Sequence, residues 1–416
     1  MSSLLSVFNY HSGALPKVAA LLIALSSITG GILLPQPFYF FSLALCGLLI
    51  LIRGGVKFYN ALILFFIAIC AFSLVINNPP SFFRAWERFG VYVLVLLVVS
   101  PLLISSFATR LRVNLLFSFI QIGIILSIGS FFAYFLGINL FVRLDQQLEI
   151  GAGTFSGLMN HSMALGPVAG ISGFILFTSL LDRNTPSNAR SRTPVRVFMT
   201  LCCMGACLLA ASRVAVLATG VACLAAMLRH YKDNIAKMMR VLVVLVGILI
   251  ASFPIWGGVT DFLIQKQKGN EAEGSIIYSR ERKFTARVLE FKSSPIYGIG
   301  YNVVIPEYDG VVMSNGQIEP GSSWLAVASM TGILGLMVFI PICVRGVRRA
   351  WKIISPHNSS ILLGLIFFFI VHMIAEGYIF APKSFLSLLF WLIIAAIDGV
   401  YEMERTKCES IQLLDF

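Results

Sequence analysis

Charge is what this sequence has least of. Only 12% of its 416 residues are Asp, Glu, Lys or Arg, where a soluble globular protein carries about 25%. Half that density leaves too little polar surface to cover a water-facing body of this size. A soluble enzyme, a disordered chain and a nucleic-acid binder are therefore excluded. Familiar catalytic signatures are missing as well: there is no H-E-x-x-H, no phosphate-cradling Walker loop and no G-x-S-x-G. No C-x-x-C pair occurs, and seven of the eight cysteines lie in apolar runs, so neither a metal knuckle nor a disulfide framework is expected. The N-terminus shows no Arg-rich segment followed by a small-residue cleavage site, so the first apolar run is read as a retained span.

What is present is apolar. Hydrophobic residues make up 58% of the chain, Phe alone occurs 34 times, and the mean hydropathy is +0.88. The natural solvent of such a chain is a bilayer, which a helix crosses with about 20 apolar residues. Twelve runs qualify: 17–34, 37–52, 58–76, 90–108, 114–136, 161–181, 197–211, 213–228, 241–257, 323–344, 359–376 and 383–400. The expected fold is an all-α polytopic membrane protein of about twelve transmembrane helices. The division expected along it is N-terminal membrane helices over 1–136, a functional core over 137–344, and C-terminal helices with a cytoplasmic tail over 345–416.

The net charge of +12 fits the same picture. Short cytoplasmic loops are rich in Lys and Arg because these resist translocation. With both termini inside, 19 of the 31 basic residues fall in cytoplasmic segments and five in short outer ones. The remaining seven share one outer loop, 258–322, with eight acids. Structureless loops this long are uncommon without a functional reason. No internal repeat or matching pair of broken helices is visible, which disfavours an inverted-repeat transporter or flippase.

Several residues stand out against this background. Arg213 sits at the tip of the short apolar hairpin 197–228, near the outer face. It reads either as an Arg snorkelling to lipid headgroups or as a planar fork presented to an anion. In the outer loop, Ile277, Phe284, Val288 and Phe291 recur on one helical face, and Arg280, Lys283 and Arg287 on another. An amphipathic helix is expected there, ended by Pro295 and followed by the turn Gly298-Ile-Gly300. His161 lies in a polar, Gly-rich lead-in to the run 161–181, and His372 and Glu376 are spaced i, i+4. Two ligands without a third make a weak metal site, so no metal and no cofactor are expected.

Four segments, taken in order, resemble the superfamily of O-antigen ligases and Wzy-type polysaccharide polymerases. They are Gly153-Thr-Phe with Asn160-His-Ser-Met-Ala164, then Ser212-Arg213, then Arg280, Phe284, Pro295 and Gly298-Ile-Gly300, and last Ser323-Trp-Leu325 with Gly332-Ile-Leu-Gly335. The likeness covers about 150–340. Where ligases carry a His-Asn pair this chain has Gly321-Ser322, which favours the polymerase branch. The resemblance implies an inner-membrane glycosyltransferase that polymerises undecaprenyl-pyrophosphate-linked oligosaccharides at the extracytoplasmic face. A ligase that moves the glycan to a lipid or protein acceptor is the alternative. The partners implied are that lipid-linked donor, the bilayer and a chain-length regulator, with no nucleic acid. Arg213, Arg280 and Arg287 are then expected to converge on the pyrophosphate. His161, Glu319 and Glu376 are candidates for the base that activates the acceptor hydroxyl.

Overall fold

The computed structural model describes residues 14–28, 34–52, 57–139, 155–181, 193–251, 278–309, 316 and 318–412. Gly153, Thr154, Ile277 and most of the N-terminal half of the outer loop lie outside them. The described chain is almost wholly α-helical. In order it forms α1 (Ala14–Ile28), α2 (Gln36–Ile52), α3 (Ala61–Asn77), α4 (Ala85–Val99), α5 (Ser106–Phe135), α6 (Ser162–Leu181), α7 (Thr193–Leu209), α8 (Arg213–His230) and α9 (Ile235–Ala251). Then follow α10 (Tyr278–Ser293), α11 (Pro306–Asp309), α12 (Ser323–Lys352), α13 (Pro356–His372) and α14 (Phe385–Gln412). The strands described are a two-residue antiparallel ribbon, β1 (Lys57–Phe58) against β2 (Leu103–Ile104).

A helix falls on each of the twelve apolar runs. Five stretches are long and apolar enough to cross a membrane: α5, α6, α8, α12 and Phe385–Thr406 of α14. Five others, α1, α2, α3, α7 and α13, are apolar but no longer than 17 residues. The run 90–108 is not one helix. Pro101 lacks an N–H and disfavours the α conformation in the residue before it. Accordingly α4 ends at Val99, Ser100 is extended, and the chain passes through β2 before Ser105 caps α5 through the Ala108 amide (3.1 Å).

Those described residues within 120–276 and 350–371 form one compact unit, and those within 8–119, 277–349 and 372–416 form another. In the first, α6 is the centre and is almost entirely buried. Gly166, Gly170 and Gly173 follow one another at i, i+4 and i+7. A Cβ on Gly166 would meet Ser212, one on Gly170 would meet Thr219, and one on Gly173 would meet Met204. This small-residue stripe lets α7 and α8 pack backbone-close onto α6, as apolar membrane helices do where no hydrophobic force separates protein from lipid. In the second unit, Phe66, Tyr92, Tyr301, Phe339, Phe380 and Trp391 form a packed aromatic core. Burial, with Tyr92 alongside, keeps the Tyr301 phenol protonated well above its ordinary range, and its hydroxyl donates to the Phe380 carbonyl (3.1 Å).

Buried charges here have assigned partners, as the low dielectric requires. Arg112 donates to the Val98 (2.9 Å) and Leu97 (3.3 Å) carbonyls and so caps α4. Arg229 does the same for the last turn of α12 at Trp351 (3.2 Å) and Ile353 (2.8 Å). Toward the C-terminal end of α12, Arg345 and Arg349 hold buried Asp398 (3.5 and 2.8 Å), and Arg349 also reaches Glu402 (3.0 Å) and stacks on Tyr401. A second set of charged groups lies near Ser323, at the N-terminal end of α12.

Candidate functional site

Those groups gather where α10, the segment before α12 and the segment after α13 meet. Helix α12 is broken at Gly332, whose φ of 67° and ψ of −164° only glycine adopts readily. The 295–300 loop fills the break. The Ile333 amide donates to the Pro295 carbonyl (2.8 Å), and Leu334 donates to Ile296 (3.3 Å). In return Ile299 donates to Ser329 (2.9 Å) and Gly300 to Met330 (3.3 Å). A Cβ on Gly298 would overlap the Met330–Thr331 backbone, and one on Gly332 would overlap Ile296. Two glycine-bearing motifs far apart in sequence are thus halves of one backbone joint. It fixes the C-terminal end of α10 on a membrane helix.

Along α10 the stripe Arg280, Lys283, Arg287 and Glu290 turns toward the protein, whereas Val288 and Leu289 are each 39% exposed. The stripe grows shallower toward its N-terminal end. Arg287 is fully buried and bonded to Glu290 (3.0 Å), whose same oxygen accepts the Ile305 amide (2.9 Å). Two turns earlier, the Arg280 side chain is 20% exposed and bridges Glu376 (2.7 Å) and Glu319 (3.4 Å). Lys283 holds the second oxygen of Glu319 (2.5 Å).

The carboxylates are set in place by backbone. Ser322 caps α12 through the Leu325 amide (3.3 Å). The Ser323 hydroxyl donates to the Glu376 carbonyl (2.7 Å) and accepts the Tyr378 amide (3.0 Å). Glu376 is therefore pinned to the first turn of α12. Burial, reinforced by the Glu376 carboxylate, keeps the Tyr378 phenol protonated well above its ordinary range. His372 is fully buried, with its ring 5.6 Å from that of Tyr378. Gly321 has a φ of 78°, and a Cβ there would come within 2.9 Å of the Lys283 Cβ.

His161 and Arg213 lie in the other unit. His161 caps α6: its Nδ1 accepts the Met163 amide (3.0 Å), and its carbonyl accepts Ala164 (3.0 Å) and Leu165 (3.1 Å). Arg213 is the first residue of α8, after a turn in which Ala211 takes a φ of 51°, and is partly exposed. Of the six residues singled out in the sequence, the structure brings Arg280, Glu319 and Glu376 into one cluster, with Arg287 sealed below it on the same helix. Glu290 and Tyr378 went unnoticed, and Ser323 stood only as part of the segment Ser323-Trp-Leu325. Glu290 had a signal, its i+3 spacing from Arg287; the contact between Ser323 and Tyr378 is tertiary and had none. Among the described residues no group of three His, Cys, Asp or Glu is placed to hold a metal ion.

These features define a multi-pass, all-α membrane protein with a paired charged cluster at one end of a broken helix. Residues 198–340 match the family model described as O-antigen ligase, which shows the likeness to the O-antigen ligase and Wzy superfamily over that segment. The match spans less than half of the chain; it includes Arg213, Arg280, Arg287 and Glu319 and leaves out His161 and Glu376. It points to a membrane glycosyltransferase of the ligase or polymerase type that acts on lipid-linked oligosaccharides, in a bacterial inner membrane. No curated protein matches the chain.

Proposed function

We propose that the protein polymerises oligosaccharide units carried on undecaprenyl pyrophosphate, at the extracytoplasmic face. The observation that carries the reading is the bridging of Arg280 between two carboxylates, Glu376 and Glu319. A guanidinium that grips two carboxylates from one partly exposed position has the fork geometry that receives two phosphate oxygens. Fixed positive charge of this kind stabilises a departing pyrophosphate without reorganising at the moment of reaction. Arg213 is a separate candidate for contact with an anion. A cation on the first residue of a helix lies at the wrong end of the helix dipole for stability, so its presence there is better explained by an anion that both attract. Arg287, sealed on Glu290, supports α10 and does not touch the donor.

Polymerisation is favoured over ligation by Gly321. Its positive φ and the close Lys283 chain leave no room for the histidine that a ligase carries at this place. The acceptor is accordingly the non-reducing sugar of a second lipid-linked glycan. The test is complementation of a polymer-deficient strain lacking the native protein, with expression checked. Long glycan chains should appear with the wild-type protein and be absent with Arg280→Ala. Transfer of single preassembled glycans to a lipid acceptor, without chain growth, would replace this reading by the ligase.

A further inference from the structure

We infer that Arg84, Arg88 and Lys383 form a second anion site, beside the Arg280 cluster, for the pyrophosphate of the acceptor lipid; this rests on the polymerase reading above. Chain growth of that kind joins two lipid-linked glycans, and each carries its own pyrophosphate. One guanidinium fork grips two oxygens, so a second pyrophosphate needs cations of its own. Three cations from two distant segments meet at the start of α4. Arg84 and Arg88 stand one turn apart there, the Arg88 amide donating to the Arg84 carbonyl (3.1 Å), and Lys383 comes from the segment just before α14. The charges that bear on the Lys383 ammonium are those of Arg88 and Arg84, and Arg84 bears in turn on Arg88. Like charges gathered in this way repel. The contacts of Lys383 are neutral: its Nζ donates to the Gln36 amide oxygen (3.0 Å) and lies 4.9 Å from the centre of the Phe40 ring. Arg88 donates to the Gly316 carbonyl (2.6 Å). Glu87 pairs with Arg84, and both side chains of that pair are well exposed. An anion shared by the three cations would relieve their repulsion.

The group lies close to the first site and in the same compact unit. Gly316 packs on the backbone just before α4, where a Cβ on it would overlap the Phe82 carbonyl. It precedes Glu319 by three residues, and three residues span at most about 11 Å. The loop that Arg88 holds at Gly316 therefore runs directly to the carboxylate gripped by Arg280 and Lys283. Trp86, half exposed between Arg84 and Arg88 in sequence, suits the headgroup level of a bilayer, where Trp rings concentrate. A polyprenyl pyrophosphate lies at that level with its glycan in water. It bears more negative charge than the single phosphate of a phospholipid headgroup, which is why three cations fit it better. The arginines offer paired donors to its oxygens and Lys383 adds a point charge. A pyrophosphate held here lets the glycan it carries turn toward the Arg280 cluster, where its far sugar meets the donor.

The experiment uses the full-length protein in nanodiscs of neutral phospholipid, with undecaprenyl pyrophosphate as the probe, counted per chain by native mass spectrometry. Wild type should bind two. The double variant Arg84→Asn with Lys383→Gln should bind one as before and the second about 10-fold or more weakly, the loss expected when charge-assisted contacts are removed. Asn tolerates the left-handed backbone of Arg84 (φ 48°), and both positions are exposed, so this variant should fold. Arg280→Ala should also bind one, and all three substitutions together none. In the polymer-deficient strain the double variant should lose long chains. A merely structural role for the cations would weaken both binding events together. Two tightly bound probes on the double variant overturn the site, as does a single probe on wild type that this variant leaves in place. Displacement of the second probe from wild type by phosphatidylglycerol at the same mole fraction would reduce the site to an ordinary headgroup contact and overturn the acceptor assignment. Normal polymer from Arg280→Ala, with one probe lost from the double variant, would instead overturn the donor reading and leave the second site standing.

Discussion

Arg280 and Arg287 lie two turns apart on one face of α10, yet the first is 20% exposed between two carboxylates and the second is fully buried on Glu290. Their substitutions should separate accordingly. Arg287→Ala removes the guanidinium that holds the buried Glu290 carboxylate at 3.0 Å, and breaking a buried pair from one side costs about 3–5 kcal/mol. The yield of folded protein should fall sharply in size-exclusion chromatography of detergent extracts. Replacing both partners, Arg287→Met with Glu290→Leu, should recover part of it, short of full recovery because the Ile305 amide loses its acceptor. Arg280→Ala should leave folded yield near wild type and remove activity. Equal loss of folded protein in the two single variants would show that the depth difference has no energetic meaning.

The joint at Gly332 makes a second demand. An alanine there must adopt a backbone conformation close to glycine-only, at a cost of about 1–3 kcal/mol, and its Cβ overlaps the Ile296 carbonyl. Gly332→Ala should lower the midpoint of thermal unfolding and impair activity, although residue 332 contacts none of Arg280, Glu319 and Glu376 in the ways described above. Gly399→Ala, in α14, where a Cβ would meet nothing within 4 Å, is the comparison. If both variants melt together, the broken helix is not a point of special strain.

The helices were legible because they are written in long apolar runs, and the amphipathic α10 because its periodicity and its Pro295 stop are local signals. The orientation of α10 was less so. Spacing put Arg280, Lys283 and Arg287 on one face but could not say that this face, with Glu290, turns inward while Val288 and Leu289 remain exposed. Depth along a helix is set by what it packs against, here the 295–300 loop seated in α12. The pairing of Gly298 with Gly332 was equally hidden: each reads as a turn or a flaw until the backbone of the other is beside it. The partnership of Arg280 with Glu376 joins residues 96 positions apart, and no pattern in a single sequence announces it.

Gly321 tests the preference for polymerisation. A residue with a Cβ at a left-handed position costs about 1–2 kcal/mol, and here it also presses on Lys283. Gly321→His should destabilise the protein in thermal unfolding and disturb the Lys283–Glu319 pair, without creating ligase activity. Glycan newly attached to a ligase acceptor by this variant would mean that the site tolerates the ligase arrangement after all.

Topology is open to direct measurement. From the charge bias we expect both termini and residue 232 in the cytoplasm and the stretch near residue 300 outside. Alkaline phosphatase fused after 300 should be active, and fused after 232 inactive. The reverse pattern would put the charged cluster on the wrong face for a donor delivered outside.

Arg213 gives the sharpest chemical test, because its first-turn position argues against a purely structural role. A cation beside the positive end of α8 is disfavoured by about 0.3–1 kcal/mol at an exposed site, so Arg213→Ala should leave folded protein unchanged or slightly stabilised. If the guanidinium binds the donor, the same variant should lose polymer formation by about 100- to 1,000-fold, the usual consequence of removing one donor to a developing anion. Arg213→Lys keeps the charge but not the fork. It should recover little where two oxygens are gripped at once, and most of the activity where a point charge suffices. Assayed in the deficient strain with expression checked, full polymer from Arg213→Ala would reduce Arg213 to an arginine reaching for lipid headgroups. Full polymer from Arg213→Lys alone would keep it at the donor and remove only the two-oxygen contact.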